Sequence, residues 1–446
     1  MALLGGLVML SGCGGPAAVS LPAGKPNVVL IIIDALRADK VGCYGASEDA
    51  SPELDALARD GLRFSRVVAQ CSWTRPSIAS IVSSRYPRSI GMYLERDQAL
   101  DGRFDTLAEA LEASGYKTIG ATSNPHLNSV FNFHQGFDVY LDSNVVYTFM
   151  RPGGDQRPFK STKVKSAAEM FETILELADE PSDGPRYVQM LLMEVHEWCR
   201  NANALTRDEF RGRFGGRPYS LYLDALRQVS YDIGAFVEQL VAKPGWENTL
   251  FIITSDHGEG LGDHPGVEKS RYHGRLLYES QLMVPLIFYH HGRRFPIQQI
   301  DRPVRLLDLV PTVLDYVGVA VPEGLDGVSV LPWVRGEEAP VDLPDYFVAE
   351  TKLRGHNKIA VYSGDWKYIE NRDGHKGVNP RELQRIGARE NGHKTDQIAK
   401  HADVAGAMAA CLRDWEQKHA EAAPISCVAP LSQDEIDQFR AVGYLE

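Results

Sequence analysis

Polar and apolar positions fall into two regimes along the chain. From Asn27 to about residue 318, short runs of apolar, β-branched residues alternate with stretches whose apolar positions recur at helical spacing. The run Asn27-Val28-Val29-Leu30-Ile31-Ile32-Ile33 has no polar position after Asn27, the pattern of a central parallel strand covered on both faces. Lys117 to Ala121, Tyr187 to Met193, Thr249 to Thr254 and Val284 to Tyr289 predict further strands. Between them, helical spacing predicts helices opening at Ser51-Pro52-Glu53 and near Thr74. Others are predicted over Leu107 to Ala113, Ser166 to Leu177, Leu221 to Val241 and Leu306 to Tyr316. Strand and helix in turn predict an α/β fold, a central, mostly parallel sheet sandwiched by helices.

The second regime is short and alternating. Asp345 to Glu350, Lys358 to Tyr362 and Lys367 to Glu370 predict antiparallel strands, with Ser363-Gly364-Asp365 as a hairpin turn. Val404 to Trp415 predicts a helix. The division that follows is a leader and linker at 1–24, an α/β domain at 25–336, and a small C-terminal α+β subdomain at 337–446.

Composition narrows the function. The 446 residues are 44% hydrophobic and 24% charged, and the formal net charge is -12, which argues against a broad basic face for nucleic acid. No apolar run reaches the ~18 residues of a transmembrane helix. Ala2 to Leu10 is apolar and leads into Leu10-Ser11-Gly12-Cys13, which resembles a bacterial lipobox. That predicts lipidation at Cys13 and a periplasmic or surface location in the cell envelope, with membrane contact only through the anchor. The leader departs from the usual pattern in having no basic residue before Lys25. The five cysteines after Cys13 are irregularly spaced and define neither a zinc site nor a disulfide framework.

The chemistry sits where the predicted strands end. Asp34 follows the first strand, Ser123-Asn124-Pro125-His126 a second, and Glu194, His196 and Glu197 a third. Ser255-Asp256-His257-Gly258-Glu259 follows another, with Tyr272-His273-Gly274 soon after. Open α/β sheets place their sites at this edge. Thr74 opens a helix in Thr74-Arg75-Pro76-Ser77, where free N–H groups favour developing negative charge. Taken singly, Thr74 and Asp34 read equally as helix caps. Taken together, Asp34, Thr74, Asp256 and His257 supply two carboxylates, a hydroxyl and an imidazole. That set accommodates a divalent cation such as Ca, Mg, Mn or Zn, which would ready the hydroxyl as a nucleophile.

These motifs, in this order, resemble the sulfatase family of the alkaline phosphatase superfamily. The resemblance runs from about Pro26 to the C-terminus and includes Leu36-Arg37-Ala38-Asp39, Gly364-Asp365-Trp366-Lys367-Tyr368 and Ala441-Val442-Gly443-Tyr444-Leu445. It implies an alkaline-phosphatase-like domain with Asp34, Asp256 and His257 as metal ligands. Thr74 falls where sulfatases carry the Cys or Ser oxidised to formylglycine, and where phospho-transferring relatives keep an unmodified Thr. His126 matches a residue contacting the substrate anion, His196 one beside the leaving group, and His273 a basic residue near the transferred group. Glu194, with His196 and His273, is a candidate for a second metal or for substrate. Asp263 and His264 read as surface residues of a flexible loop.

Four positions depart from the family pattern. Ala35 replaces the second Asp of the usual pair, Ile78 the motif Arg, Asn124 a Lys, and Thr74 the formylglycine precursor. The expectation is a metal-dependent hydrolase of sulfuric or phosphoric esters with a Thr nucleophile. Its substrate would be a sulfated or phosphorylated glycan, lipid or small molecule. Two alternatives are a phosphoethanolamine- or phosphoglycerol-type transferase acting on envelope glycans or lipids, and a non-catalytic lipoprotein that binds anionic glycans. The segments Asn144 to Lys160 and Asn201 to Arg217 carry no readable substrate code.

Overall fold

A computed structural model describes residues 24–93, 98–142, 166–199, 205–217, 219–264, 266–267, 271–338, 341–387 and 395–426. Cys13, the segment from Asn144 to Lys160 and the terminal Ala441 to Leu445 lie outside them.

The first strand, β1 (Asn27–Ile33), is central, as its unbroken apolar run predicts. The sheet also contains β2 (Leu62–Phe64); β3 (Val67–Val68) and β4 (Gln98–Ala99) belong to small two-stranded ladders. Next come β5 (Lys117–Thr122), β6 (Val139–Leu141), β7 (Arg186–Leu192), β8 (Thr249–Thr254), β9 (Leu286–His290) and β10 (Gln299–Ile300). The eight-stranded order is β10-β2-β9-β8-β1-β7-β5-β6. It is parallel except where β9 runs against β8 and β2.

Alternate side chains of β1 enter two different cores. Val28, Leu30 and Ile32 pack with residues of α2 (Thr74–Ser83) and the helix Leu309–Tyr316. Val29, Ile31 and Ile33 pack with residues of α1 (Pro52–Asp60), the helix Ala167–Leu177 and the helix Ser220–Val241. This two-sided burial is why the strand tolerates no polar position.

Register fixes where the chemistry lies. Ile33 pairs with Leu192, Ile32 with Thr254, and Thr122 with Leu191. Asp34, Asn124, Glu194 and Asp256 therefore leave the sheet at one carboxyl edge.

The C-terminal part forms a four-stranded antiparallel sheet of Phe347–Thr351, Lys358–Ser363, Trp366–Asn371 and Arg381–Arg385. Its fourth strand was not predicted. The helix Ala402–Lys418 packs on it through Met408, Leu412 and Trp415, and the same cluster takes in Tyr86 and Leu307 of the larger domain. Among the described residues no helix is long and apolar enough to cross a membrane, and Cys43, Cys71 and Cys411 are free thiols.

Candidate active site

Thr74 is the first residue of α2, whose N-cap is Trp73. The Thr74 hydroxyl does not cap the helix. It lies 3.3 Å from Asp34 Oδ2 and 3.2 Å from His257 Nε2, and is 1% exposed. His257 Nε2 is in turn 3.5 Å from Asp34 Oδ1 and 3.4 Å from Asp256 Oδ2. The four groups that sequence places together thus converge in one buried cluster.

Several features of the cluster suit a cation. Asp34 Oδ1 and Asp256 Oδ2 are buried and accept no hydrogen bond among the described residues. Orphaned carboxylate oxygens are costly unless a cation compensates them. His257 Nδ1 donates to the Gly258 carbonyl at 2.8 Å, which leaves the lone pair on Nε2 facing both acids. Asp34, Asp256 and His257 each bring one ligand atom within 4.8 Å of the others. Burial, then the Asp34 charge, pushes the Asp256 carboxyl up to about 6. A divalent ion would reverse that push.

The four departures from the family pattern acquire physical meanings here. Ala35 adopts a left-handed backbone, φ 62°, and its N–H donates to Asp256 Oδ1 at 3.2 Å. An alanine held there bears backbone strain, a feature that clusters at functional sites. Asn124 Nδ2 donates to Asp34 Oδ2 at 2.8 Å, so a neutral donor steadies the acid. Ile78 is fully buried in the apolar core beneath α2. At the fourth departure, Thr74, the hydroxyl already points at the acids.

The histidines surround the cluster. His126 is fully buried on the short turn after β5, edge-on to Trp73 at 5.9 Å between ring centroids, and burial holds it well below the usual imidazole range. The His273 ring lies tilted against those of His257 and His196, with centroids 4.5 Å and 5.0 Å away. His196 Nδ1 contacts Glu197 Oε1 at 2.8 Å, and His273 Nδ1 contacts Glu259 Oε2 at 3.2 Å. Glu259 ends the Asp256-His257-Gly258-Glu259 run, and nothing in that run by itself assigns it a role. Burial pushes its carboxyl up to about 7.

Two expectations are corrected. Glu194 Oε1 accepts the N–H of Ala167 at the start of the helix Ala167–Leu177, and burial raises its carboxyl to about 7. Through Oε1 it serves that helix terminus, while Oε2 is buried and accepts no hydrogen bond among the described residues, where no metal-binding group combines Glu194 with His196 and His273. Asp263 and His264 are not loose surface residues either. Asp263 pairs with the buried Arg37, and His264 is 4% exposed with Nε2 2.9 Å from Ser280 Oγ.

A family model described as Sulfatase matches residues 26–319, and one described as N-sulphoglucosamine sulphohydrolase, C-terminal, matches 267–372. The chain belongs to the sulfatase family of the alkaline phosphatase superfamily, a class of sulfuric- and phosphoric-ester hydrolases. It is 25% identical to a Delta 4,5-hexuronate-2-O-sulfatase of Bacteroides thetaiotaomicron, over 73% of this chain and 75% of that one. It is 23% identical to an arylsulfatase of Clostridium perfringens, over 69% and 78%. A solved phosphonate monoester hydrolase of Silicibacter pomeroyi has the same fold, with a TM-score of 0.65 at 19% identity, covering 90% of this chain and 96% of that one.

Proposed function

We propose that the protein is a metal-dependent hydrolase of sulfuric or phosphoric esters with Thr74 as its nucleophile. The observation that carries this is the placement of Thr74 Oγ1 within 3.3 Å of both Asp34 and His257 in a buried cluster completed by Asp256. Asp34, Asp256, His257 and Thr74 would hold the cation. When bound, it supplies positive charge that lowers the hydroxyl's pKa and offsets the anionic ester.

The chain's own groups account for the rest. Thr74 Oγ attacks sulfur or phosphorus in line with the departing oxygen. Asn124 and the Ala35 N–H keep the two carboxylates aimed at the cation. Trp73 and Arg75 hold His126 in place, the latter by a 3.2 Å hydrogen bond to its carbonyl, where it contacts the anionic ester. His196 or His273 provides the proton at the leaving-group side. Water then releases the group from Thr74.

An unmodified Thr favours phosphorus, and a phosphonate monoester hydrolase fold neighbour is consistent with it. The hexuronate sulfatase relative favours a sulfated glycan. A transferase would differ only in using an alcohol in place of water. Anchoring through Cys13 is also part of the proposal, supported by Leu10-Ser11-Gly12-Cys13 alone. Cys13→Ala should release the protein from the membrane fraction.

The test is metal content together with turnover of para-nitrophenyl sulfate, phosphate monoester and phosphodiester by wild type and Thr74→Ala. Loss of all turnover in the variant supports the reading. Equal turnover removes Thr74 as nucleophile. Tight glycan binding without turnover of any ester would favour the binding lipoprotein.

A further inference from the structure

Glu259 occupies a junction that the reaction outlined above does not use. It is carried by the segment that supplies Asp256 and His257, and its side chain contacts Gly260, Trp198 and His273. Its carboxylate is 1% exposed. Oε1 accepts the Gly260 N–H at 2.9 Å. Oε2 accepts Trp198 Nε1 at 3.4 Å and meets His273 Nδ1 at 3.2 Å. Trp198 belongs to the turn His196–Cys199, so one buried acid ties the His196 turn to His273. The ring of His273 stands between those of His257 and His196.

We propose that Glu259 is a positioning residue that holds His273 with Nδ1–H inward, so that Nε2 delivers the proton to the departing oxygen. The inference rests on the proposed ester hydrolysis and assigns its acid. The proton must reach an oxygen bonded to the same atom that Thr74 attacks, and the His273 ring lies 4.5 Å from that of His257, which Thr74 Oγ1 approaches. The Thr74 hydroxyl gives its proton to water, a loss that a cation held by Asp34, Asp256 and His257 would favour, and attacks as the alkoxide. Its oxygen forms a bond to sulfur or phosphorus, and the bond to the leaving oxygen breaks with its electron pair. The proton on His273 Nε2 goes to that oxygen, giving the free alcohol and neutral His273. In the second half, water bonds to sulfur or phosphorus, its proton returns to His273 Nε2, and Thr74 leaves as alkoxide. Through both halves Nδ1–H stays hydrogen-bonded to Glu259 Oε2, which fixes the ring. Glu197 orients His196 similarly, which makes Glu197→Gln the matched control.

The test is the dependence of kcat/KM on the leaving group, using aryl sulfates and aryl phosphates from para-nitrophenyl to phenyl, whose phenol has a pKa of about 10. A good leaving group needs little protonation and a poor one needs it most. Glu259→Gln keeps one acceptor oxygen, so either the Gly260 N–H or the Trp198 and His273 N–H groups lose theirs. We expect a loss of about 10²-fold on the phenyl ester and a smaller one on the para-nitrophenyl ester. The same steepening is expected in His273→Gln, with no further steepening in the double variant. A uniform loss across the series, or steepening only in Glu197→Gln, would overturn the assignment. If Glu259→Gln does not fold, an unchanged slope in His273→Gln overturns it. Wild-type turnover in Thr74→Ala would instead bring down the hydrolase reading beneath it; a uniform Glu259→Gln loss beside an inactive Thr74→Ala removes only the role of Glu259.

Discussion

Thr74 Oγ1 lies 3.2 Å from His257 Nε2 although 183 residues separate them. His257 Nδ1 is committed to the Gly258 carbonyl. The hydroxyl and the imidazole lone pair therefore share one small volume with two buried acids, the arrangement a cation would organise.

Cation binding should register without any reaction. Ca, Mg, Mn or Zn should raise Tm, by about 2.7 kcal/mol of added stability at a hundredfold excess over Kd. Asp256→Asn should abolish most of the shift. A melting curve indifferent to all four ions would remove the metal from the account.

Asn124 offers a subtler probe. Its amide donates to the same Asp34 oxygen that Thr74 approaches. Asn124→Ala should weaken metal affinity about 10- to 100-fold, the usual cost of losing a residue that orients a ligand. Titration calorimetry would measure it, and unchanged affinity would assign Asn124 a purely local role in capping the His126 turn.

Glu194 predicts a pH effect on stability. Its carboxyl is raised from 4.5 to about 7 by burial. The folded state therefore holds a proton that the unfolded state gives up, so stability falls as pH rises from about 4.5 to about 7. Glu194→Gln removes this loss and keeps an acceptor for the Ala167 N–H. Its Tm should exceed that of wild type at pH 8 by more than at pH 5, with about 3 kcal/mol as an upper bound. A difference independent of pH would contradict the shift.

The strands and helices of the larger domain were legible because each buries both faces or one whole stripe, which leaves a strong pattern. The ends of those strands then pointed to Asp34, Asp256 and His257. What the sequence hid was direction. Glu194 and His196 leave the same strand, but the carboxylate turns to the Ala167 terminus while the imidazole turns toward His273. The strand Arg381–Arg385 escaped notice because Glu382 and Gln384 look exposed. In the fold both are buried, with Glu382 receiving Tyr278, Asn371 and Gln384. Glu259 was hidden for the same reason: partners brought by other segments give it a role that its neighbours in sequence do not announce.

The central claim is that the Thr74 oxygen becomes covalently bonded to the group being transferred. Acid-quenched reaction mixtures, digested and sequenced by mass spectrometry, test it directly. The account predicts that the peptide spanning Thr74 gains one sulfuryl or phosphoryl group, at that residue, and that Thr74→Ala shows none. A fully active enzyme whose trapped group sits on another side chain would contradict it.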